Sequence, residues 1–196
     1  MCAGKGTRWC KKTPKQIAEF KGIPNILQIT QMLDSENISK DDIIVIVNEK
    51  TKKYFPKTLN LQIGSDKREI DRFRNAYPFM NNCGRMIFLY GDVLYHIDDL
   101  KIILDTNIDA FLGRFGENIN TNKLCSELFA VVIKNFDKFK ANVDDVAYKF
   151  ETKQIKREIG WEVYNNKPDD YIFISLSLNT DDYDTCNEYK NLLKYL

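Results

Sequence analysis

The first residues that could do chemistry form a glycine-rich turn near the start of the chain, followed by a proline–lysine pair. Gly4 and Gly6 allow a tight turn, and the bare N–H groups of such a turn can approach an anion that a Cβ would obstruct. Arg8 and Lys15 add positive charge where a pyrophosphate would leave. The spacing matches neither the Walker P-loop nor the G-x-G-x-x-G turn. It still predicts a binding site for a nucleoside triphosphate. The alternative is an ordinary turn with a solvated basic face.

A carboxylate at the end of a predicted strand is the second candidate. Asp92 follows the apolar run of residues 86–90, with Gly91 between them. Ligands of α/β sheets bind beyond the carboxyl ends of the strands, and Mg²⁺ prefers one or two carboxylates together with phosphate oxygens and water. The position therefore predicts a Mg²⁺ ligand. The alternative, an N-cap of the next helix, is better satisfied by Asp98 and Asp99.

Two further segments carry polar groups that suit the same site. Asp182 and Asp184 precede the last predicted helix, where a carboxylate can cap the helix or complete a Mg²⁺ site with Asp92. Gly64 and Ser65 form a small turn before another helix, which suits backbone contacts to a nucleobase or ribose. An ordinary helix cap explains this turn almost as well.

Alternating strand and helix patterns must position these residues. Near-continuous apolar runs predict strands covered on both faces, at residues 42–47, 86–90, 110–112, 128–133 and 171–175. Helical spacing predicts helices at residues 25–33, 67–73, 98–104 and from near 185 to the C-terminus. The alternation predicts an α/β fold: a three-layer α/β/α sandwich with a mainly parallel, mixed, Rossmann-like sheet. The predicted loops over the ligand edge are residues 113–123 and 164–170.

The composition argues against several classes of partner. The 196 residues suffice for one well-buried domain. The formal charge of +1 argues against broad electrostatic binding to nucleic acid or to an anionic membrane, and no apolar run approaches the roughly 20 residues of a membrane span. Five scattered cysteines without a C-x-x-C pair predict neither a zinc site nor a disulfide framework. They favour reduced thiols in a cytoplasmic protein.

Taken together, these motifs resemble those of nucleotidyltransferases of the nucleotide-diphospho-sugar transferase superfamily, which have a GT-A-like fold. Residues 2–33 closely follow the family pattern, which is a G-x-G-T-R turn, a P-K pair, a short strand with a turn, and a helix. The later G-D and D-x-D-T elements correspond to Gly91-Asp92 and to residues 182–185. Because only residues 1–3 precede the glycine turn, we expect either a very short first strand or further residues ahead of Met1.

The resemblance implies a role for each residue of the anion and metal motifs. Lys15 would contact the α-phosphate and, as a catalytic residue together with Arg8, offset the charge that develops there. Asp92 and Asp184 would hold Mg²⁺. The residues that would bind the nucleotide through its triphosphate are Ala3, Gly4, Lys5, Gly6, Thr7 and Arg8.

The resemblance also implies the substrates. An NTP, with CTP or UTP favoured, would bind mainly to residues 1–95, with its base near Gly64 and Ser65. A phosphorylated small-molecule acceptor, such as a sugar phosphate or phosphocholine, would bind mainly to residues 96–196 of the same single domain. There Arg114 could bind the acceptor phosphate, and Glu127 could accept from a hydroxyl or pair with a cationic group. A structural role is the alternative for both residues.

Two other functions stay open on the sequence. A glycosyltransferase of the same architecture would use a sugar nucleotide as donor, although a triphosphate grip is superfluous for a diphosphate donor. A nucleotide-binding module would bind NTP without forming a product. The favoured expectation is a cytoplasmic, Mg²⁺-dependent enzyme without nucleic-acid or membrane partners, which could form a homo-oligomer.

Overall fold

The computed structural model describes residues 9, 13–65, 68, 70–81, 83–115, 126–176 and 180–195. The strands in this part of the chain are β1 (Glu19–Phe20), β2 (Ile23–Pro24), β3 (Val45–Val47), β4 (Leu61–Ile63), β5 (Met86–Leu89), β6 (Val93–Leu94), β7 (Ala110–Arg114), β8 (Glu127–Ile133), β9 (Ile172–Ser175) and β10 (Asp181–Asp182). The α-helices are α1 (Asn25–Ser35), α2 (Asp71–Arg74), α3 (Tyr77–Met80), α4 (Ile97–Asp105), α5 (Phe136–Glu151), α6 (Gly160–Asn166) and α7 (Cys186–Tyr195). Short 3₁₀ helices lie at Lys15–Ile17, Lys40–Asp42, Lys52–Tyr54 and Pro168–Asp170.

A four-stranded mixed sheet with strand order β5-β8-β7-β9 is the centre of the fold. Strand β9 runs parallel to β7, whereas β8 runs antiparallel to both β5 and β7. Outside this sheet, β3 pairs parallel with β4, while the pairs β1–β2 and β6–β10 are antiparallel. The predicted α/β class with a mainly parallel, mixed sheet is confirmed, because three of the four described strands of the central sheet, β5, β7 and β9, run in one direction and β8 runs in the other. The connection from β7 to β8 is a predicted loop, which permits antiparallel pairing.

Helices cover both faces of the sheet because its central strand is apolar on both sides. Every residue of β8 from 129 to 133 is fully buried. Val131 packs in a cluster with residues of α2, α3, α5 and α6. Its neighbour Val132 points to the other face, into a cluster with residues of α1 and α4. This arrangement is the predicted three-layer α/β/α sandwich.

Three of the four helices predicted from the sequence match observed helices well, and the fourth matches only in part. The predictions at residues 25–33, at 98–104 and from near 185 correspond to α1, α4 and α7, whereas α2 covers only the end of the segment 67–73. The predicted loop at residues 164–170 is wrong in part, because α6 continues to Asn166. The longest helix, α5, was not predicted. Its signals are an N-cap, in which Asn135 Oδ1 accepts from the N–H of Lys138 at 3.1 Å, and apolar residues at helical spacing after it.

Two further observations bear on the compositional predictions. Among the described helices, none has both the length and the apolar character needed to cross a membrane.

Cys186, at the start of α7, is disulfide-bonded, whereas Cys83 is a free thiol. The expectation of reduced thiols is therefore wrong for Cys186, because spacing along the sequence does not reveal which cysteines the fold brings together.

Candidate active site

A buried lysine lies between two carboxylates where β5 ends. Lys15 begins the 3₁₀ helix that follows Pro14, and it is only 8% exposed. Its ammonium group contacts the carboxylates of Asp92 and Asp184. Burial disfavours the charge, but the two carboxylates outweigh it and raise the pKa of Lys15 above its usual value. Lys15 is therefore a fixed positive charge at neutral pH.

The turn between β5 and β6 holds Asp92 in place. The side-chain amide of Asn25, fully buried at the start of α1, donates to the carbonyl of Gly91 at 3.1 Å and to the carbonyl of Val93 at 2.9 Å. One side chain thus fixes the backbone on both sides of Asp92. Burial opposes ionisation of this carboxyl, but the charge of Lys15 prevails and lowers the pKa of Asp92.

The second carboxylate comes from the other end of the chain. Strand β10 pairs antiparallel with β6, and beyond this pair the N–H of Tyr183 donates to the carbonyl of Asp92 at 3.2 Å. Tyr183 is fully buried, and its hydroxyl donates to the carbonyl of Lys15 at 3.0 Å. These bonds bring Asp184, the next residue, to the ammonium of Lys15.

A capping box formed by Thr185 and Glu188 starts helix α7, and Asp184 immediately precedes it. Glu188 Oε2 accepts hydrogen bonds from the N–H groups of Asp184 and Thr185, each at 2.8 Å, and the N–H of Glu188 donates to Thr185 Oγ1 at 3.3 Å. The helix start is therefore capped by Thr185 and Glu188. The carboxylate of Asp184 is left to face Lys15.

A second group of carboxylates lies nearby. Glu127, Asp181 and Asp182 have ligand oxygens within 4.8 Å of one another. The fully buried Arg114 donates to Glu127 at 2.6 Å and to Asp181 at 2.8 Å. Burial raises the pKa of Asp181 to about 6 against the opposing effect of Arg114. The pKa of Asp182 lies well above its usual value because of burial and because carboxylates surround it.

The donor set fits a divalent cation. Asp92 and Asp184 both contribute to raising the pKa of Asp182, so negative charge remains crowded here even with Lys15 present. Hard oxygen ligands of this kind are what Mg²⁺ takes in proteins. The oxygens of Asp92 and Asp184 already lie close enough to contact one ammonium nitrogen. A cation added beside them would relieve the repulsion among the carboxylates.

Solved structures share this architecture over almost its whole length. CTP:phosphocholine cytidylyltransferase (LicC) from Streptococcus pneumoniae is 16% identical, with a TM-score of 0.60 over 99% of this chain and 96% of that chain. A putative glucose-1-phosphate thymidylyltransferase from Bacillus anthracis is 16% identical, with a TM-score of 0.65 over 98% and 92% of the two chains. The inositol-1-phosphate CTP transferase from T. maritima is 12% identical, with a TM-score of 0.58 over 98% and 92%. The chain has the nucleotidyltransferase fold. No protein-family model and no curated protein matches the sequence.

The nucleotidyltransferase fold brings together the predicted residues Lys15, Asp92 and Asp184, although they lie far apart in the sequence. Their roles in phosphate and metal binding stay predictions. The remaining predicted triphosphate residues lie outside the described part of the chain: Ala3, Gly4, Lys5, Gly6, Thr7 and Arg8.

The predicted base-binding turn is fixed to helix α2. The N–H of Ser65 donates to Asn75 Oδ1 at 2.9 Å, and Asn75 Nδ2 donates back to the carbonyl of Ser65 at 3.0 Å. The hydroxyl of Ser65 contacts Asp71 Oδ2 at 2.9 Å. A Cβ at Gly64 would collide with Ile46 and Asn75, so the close packing of the turn requires glycine there. Base binding by Gly64 and Ser65 stays a prediction.

Arg114 and Glu127, the predicted acceptor residues, are bonded to each other. Their binding of an acceptor stays a prediction, and Arg114 is fully buried. Sequence reasoning missed Asn25 and Asp181. Asn25 could have been found from its position, because it is a polar residue at the start of a predicted helix that has an apolar stripe. Asp181 has no such signal, because its partner Arg114 is remote in the sequence.

Proposed function

We propose that this chain is a nucleotidyltransferase that transfers NMP from an NTP to a phosphorylated small molecule and releases pyrophosphate. The observation that carries the proposal is the buried ammonium of Lys15 between Asp92 and Asp184, next to the carboxyl end of β5. Ligands of α/β sheets bind at that edge. The likeness in fold to cytidylyl- and thymidylyltransferases over nearly the whole chain supports the proposal.

The reaction would be an in-line displacement at the α-phosphorus of the NTP. A phosphate oxygen of the acceptor is ionised at neutral pH, so it attacks without a general base. A new P–O bond forms as the bond to pyrophosphate breaks, and the electron pair of that bond leaves with pyrophosphate. The main obstacle is the repulsion between two anions. The protein must therefore supply fixed positive charge and alignment.

Lys15 would supply the fixed charge at the α-phosphate. Its ammonium is oriented by two carboxylates and by the buried backbone around it, and its raised pKa keeps it protonated at neutral pH. A charge in a site of low dielectric constant interacts with phosphate more strongly than a charge in water. Arg8 would act with Lys15 by binding the departing pyrophosphate, while residues 3–8 wrap the triphosphate.

Asp92 and Asp184 would hold the Mg²⁺ ion. When bound, the ion neutralises phosphate charge and polarises the phosphoryl oxygens. Both carboxylates also orient Lys15, so each of them would contribute to the positions of the cation and of the ammonium. Loss of either carboxylate should therefore impair turnover more than it impairs folding.

The substrates follow from the surroundings of this centre. The base of the NTP, with CTP or UTP favoured, would lie near Gly64 and Ser65. The acceptor would lie near Glu127. A carboxylate can accept from a hydroxyl or pair with a cationic group, so this residue favours an acceptor that presents such groups. Sugar phosphates and phosphocholine both do so. We also propose that the protein is cytoplasmic and forms a homo-oligomer. Its single domain would bind the nucleotide mainly before residue 95 and the acceptor mainly after it.

A pyrophosphate-release assay tests the proposal. It combines the protein and Mg²⁺ with each of the four NTPs and a panel of sugar 1-phosphates and phosphocholine. We expect acceptor-dependent release with one NTP and one acceptor. Consumption of a sugar nucleotide without pyrophosphate would instead indicate a glycosyltransferase. A rise in melting temperature with NTP and no product would indicate a binding module, and the absence of both binding and release would refute the proposal.

A further inference from the structure

Arg114 is the largest fully buried side chain in the described part of the chain, and the reaction outlined above does not use it directly. Its guanidinium donates to Glu127 at 2.6 Å, to Asp181 at 2.8 Å and to the carbonyl of Thr180 at 3.3 Å. A buried charge is costly unless it is paired and hydrogen-bonded. Because its partners are charged and lie on two separate segments, Arg114 joins those segments.

One of these segments carries two carboxylates of the site. Residues 181–184 alternate in direction: Asp181 and Tyr183 are fully buried, whereas Asp182 and Asp184 lie next to Asp92 and are partly exposed. Strand β10 has only two residues, and so short a strand pair contributes little stability by itself. Other contacts must therefore hold Asp182 and Asp184 in place.

Thr180 provides one of those contacts from the side of α4. Its hydroxyl donates to Asp99 Oδ2 at 2.5 Å and accepts from the N–H of His96 at 3.0 Å. Arg114 provides another contact from the side of the sheet. The segment is thus held from two directions immediately before Asp182 and Asp184.

The position of the guanidinium is itself fixed by the sheet. Arg114 is the last residue of β7 and lies opposite Glu127 of β8, just beyond a register shift at Gly113. The guanidinium also lies over the ring of Phe129, with its central carbon 5.5 Å from the ring centroid. The rigid part of the fold therefore determines where Asp181 must lie.

We propose that Arg114 is a positioning residue for the cation and nucleotide site: it fixes β10 against β7 and β8, and thereby sets the positions of Asp182 and Asp184 relative to Asp92. The effect of this positioning on catalysis rests on the proposed function. It replaces the direct contact with the acceptor phosphate that the sequence predicts for Arg114.

Cation binding in the absence of substrates tests this role. Mn²⁺ binding to the intact protein is measured from the electron paramagnetic resonance signal of free Mn²⁺. We expect Arg114→Met to weaken Mn²⁺ binding by about tenfold or more, as is typical when a residue supporting a metal ligand is lost. Arg114→Lys should restore part of the affinity because it keeps the charge. Arg74→Met is the matched control, since Arg74 pairs with the half-exposed Asp144 outside the site.

Thermal unfolding followed by circular dichroism shows whether each variant is folded. If Arg114→Met does not fold, Thr180→Val removes the contact of the same segment with α4 and should weaken Mn²⁺ binding in the same way. An unchanged Mn²⁺ affinity in folded Arg114→Met, with a rise in the acceptor KM alone, would assign Arg114 to acceptor binding and overturn the proposal. Wild-type protein that binds no Mn²⁺ would also overturn it. Failure of wild-type protein to release pyrophosphate would count against the proposed function while leaving the Mn²⁺ comparison intact.

Discussion

The backbone N–H of Tyr183 donates a hydrogen bond to the carbonyl of Asp92 at 3.2 Å. This bond joins the turn after β5 to the segment before α7, and it places the side chains of Asp92 and Asp184 on either side of the ammonium of Lys15. Three distant parts of the chain thus meet at one nitrogen atom. The site exists only in the folded chain, and changes to residues that align these parts should affect it.

Replacement of Asn25 by alanine should reduce both stability and turnover. Asn25 Nδ2 is the buried donor to the carbonyls of Gly91 and Val93, and both carbonyls would lose it. Buried unpaired polar groups of this kind cost about 2 kcal/mol of unfolding free energy. Turnover should fall because the backbone around Asp92 is no longer held. Urea unfolding and pyrophosphate release measure the two effects.

Gln28→Ala is the control for that prediction. Gln28 lies on the same helix and donates to the carbonyls of Phe20 at 2.7 Å and Ile23 at 2.8 Å, away from Asp92. Its loss should cost about 1 kcal/mol and leave kcat unchanged. Wild-type kcat in a folded Asn25→Ala protein would contradict the role of Asn25.

Gly113→Ala should be strongly destabilising. A Cβ at Gly113 would collide with the carbonyl oxygen of Glu127 and lie 3.1 Å from Leu128 Cα, so β7 and β8 would have to separate. Overpacking that displaces backbone costs about 3 kcal/mol. Gly84→Ala is the matched control, because a Cβ at Gly84 would meet nothing within 4 Å. Thermal and urea unfolding compare the two variants, and equal stability would contradict the close strand contact.

Glu158→Gln should stabilise the protein at neutral pH. Burial raises the pKa of Glu158 above its ordinary value of 4.5, although Arg68 opposes the shift. The folded state therefore disfavours the ionised form, and unfolding free energy is lost as the pH rises through the interval from 4.5 to the raised pKa. Glutamine remains neutral, so its advantage should be full above this interval and disappear below pH 4.5.

The pH dependence of urea unfolding measures this difference between wild type and Glu158→Gln. Glu151→Gln is the control, because Glu151 also contacts Arg68 but is largely exposed. Replacing a residue of an exposed ion pair changes the unfolding free energy little. If Glu158→Gln were less stable than wild type at neutral pH, the inferred cost of burying the charge would be wrong.

The sequence allows the fold class and the central residues of the site to be predicted. Apolar runs mark the strands, and the turn after one of them places Asp92 at the ligand edge. The family resemblance singles out Lys15 and Asp184, and the structure brings both to Asp92. The fold prediction succeeds because it depends on local patterns, whereas phosphate and metal binding by these three residues stays a prediction.

Other features depend on pairings between remote segments. Arg114 is buried against Glu127 of the neighbouring strand β8 and against Asp181, which lies in the separate strand pair β6–β10. A charged residue in a strand is ordinarily read as exposed, and nothing near it in the sequence identifies its partner. The disulfide at Cys186 and the antiparallel direction of β8 are unpredictable from local patterns for the same reason.

The most direct test of the central claim compares the two products in one reaction. Pyrophosphate and the NMP–acceptor conjugate are quantified, by enzymatic coupling and mass spectrometry, for wild type, Lys15→Met and Lys149→Met. Lys149 pairs with Asp145 on α5 and serves as the matched lysine control. We expect equal amounts of both products from wild type and Lys149→Met, and a loss of at least about 100-fold in Lys15→Met. Release of pyrophosphate without the conjugate, or full activity in Lys15→Met, would contradict the account.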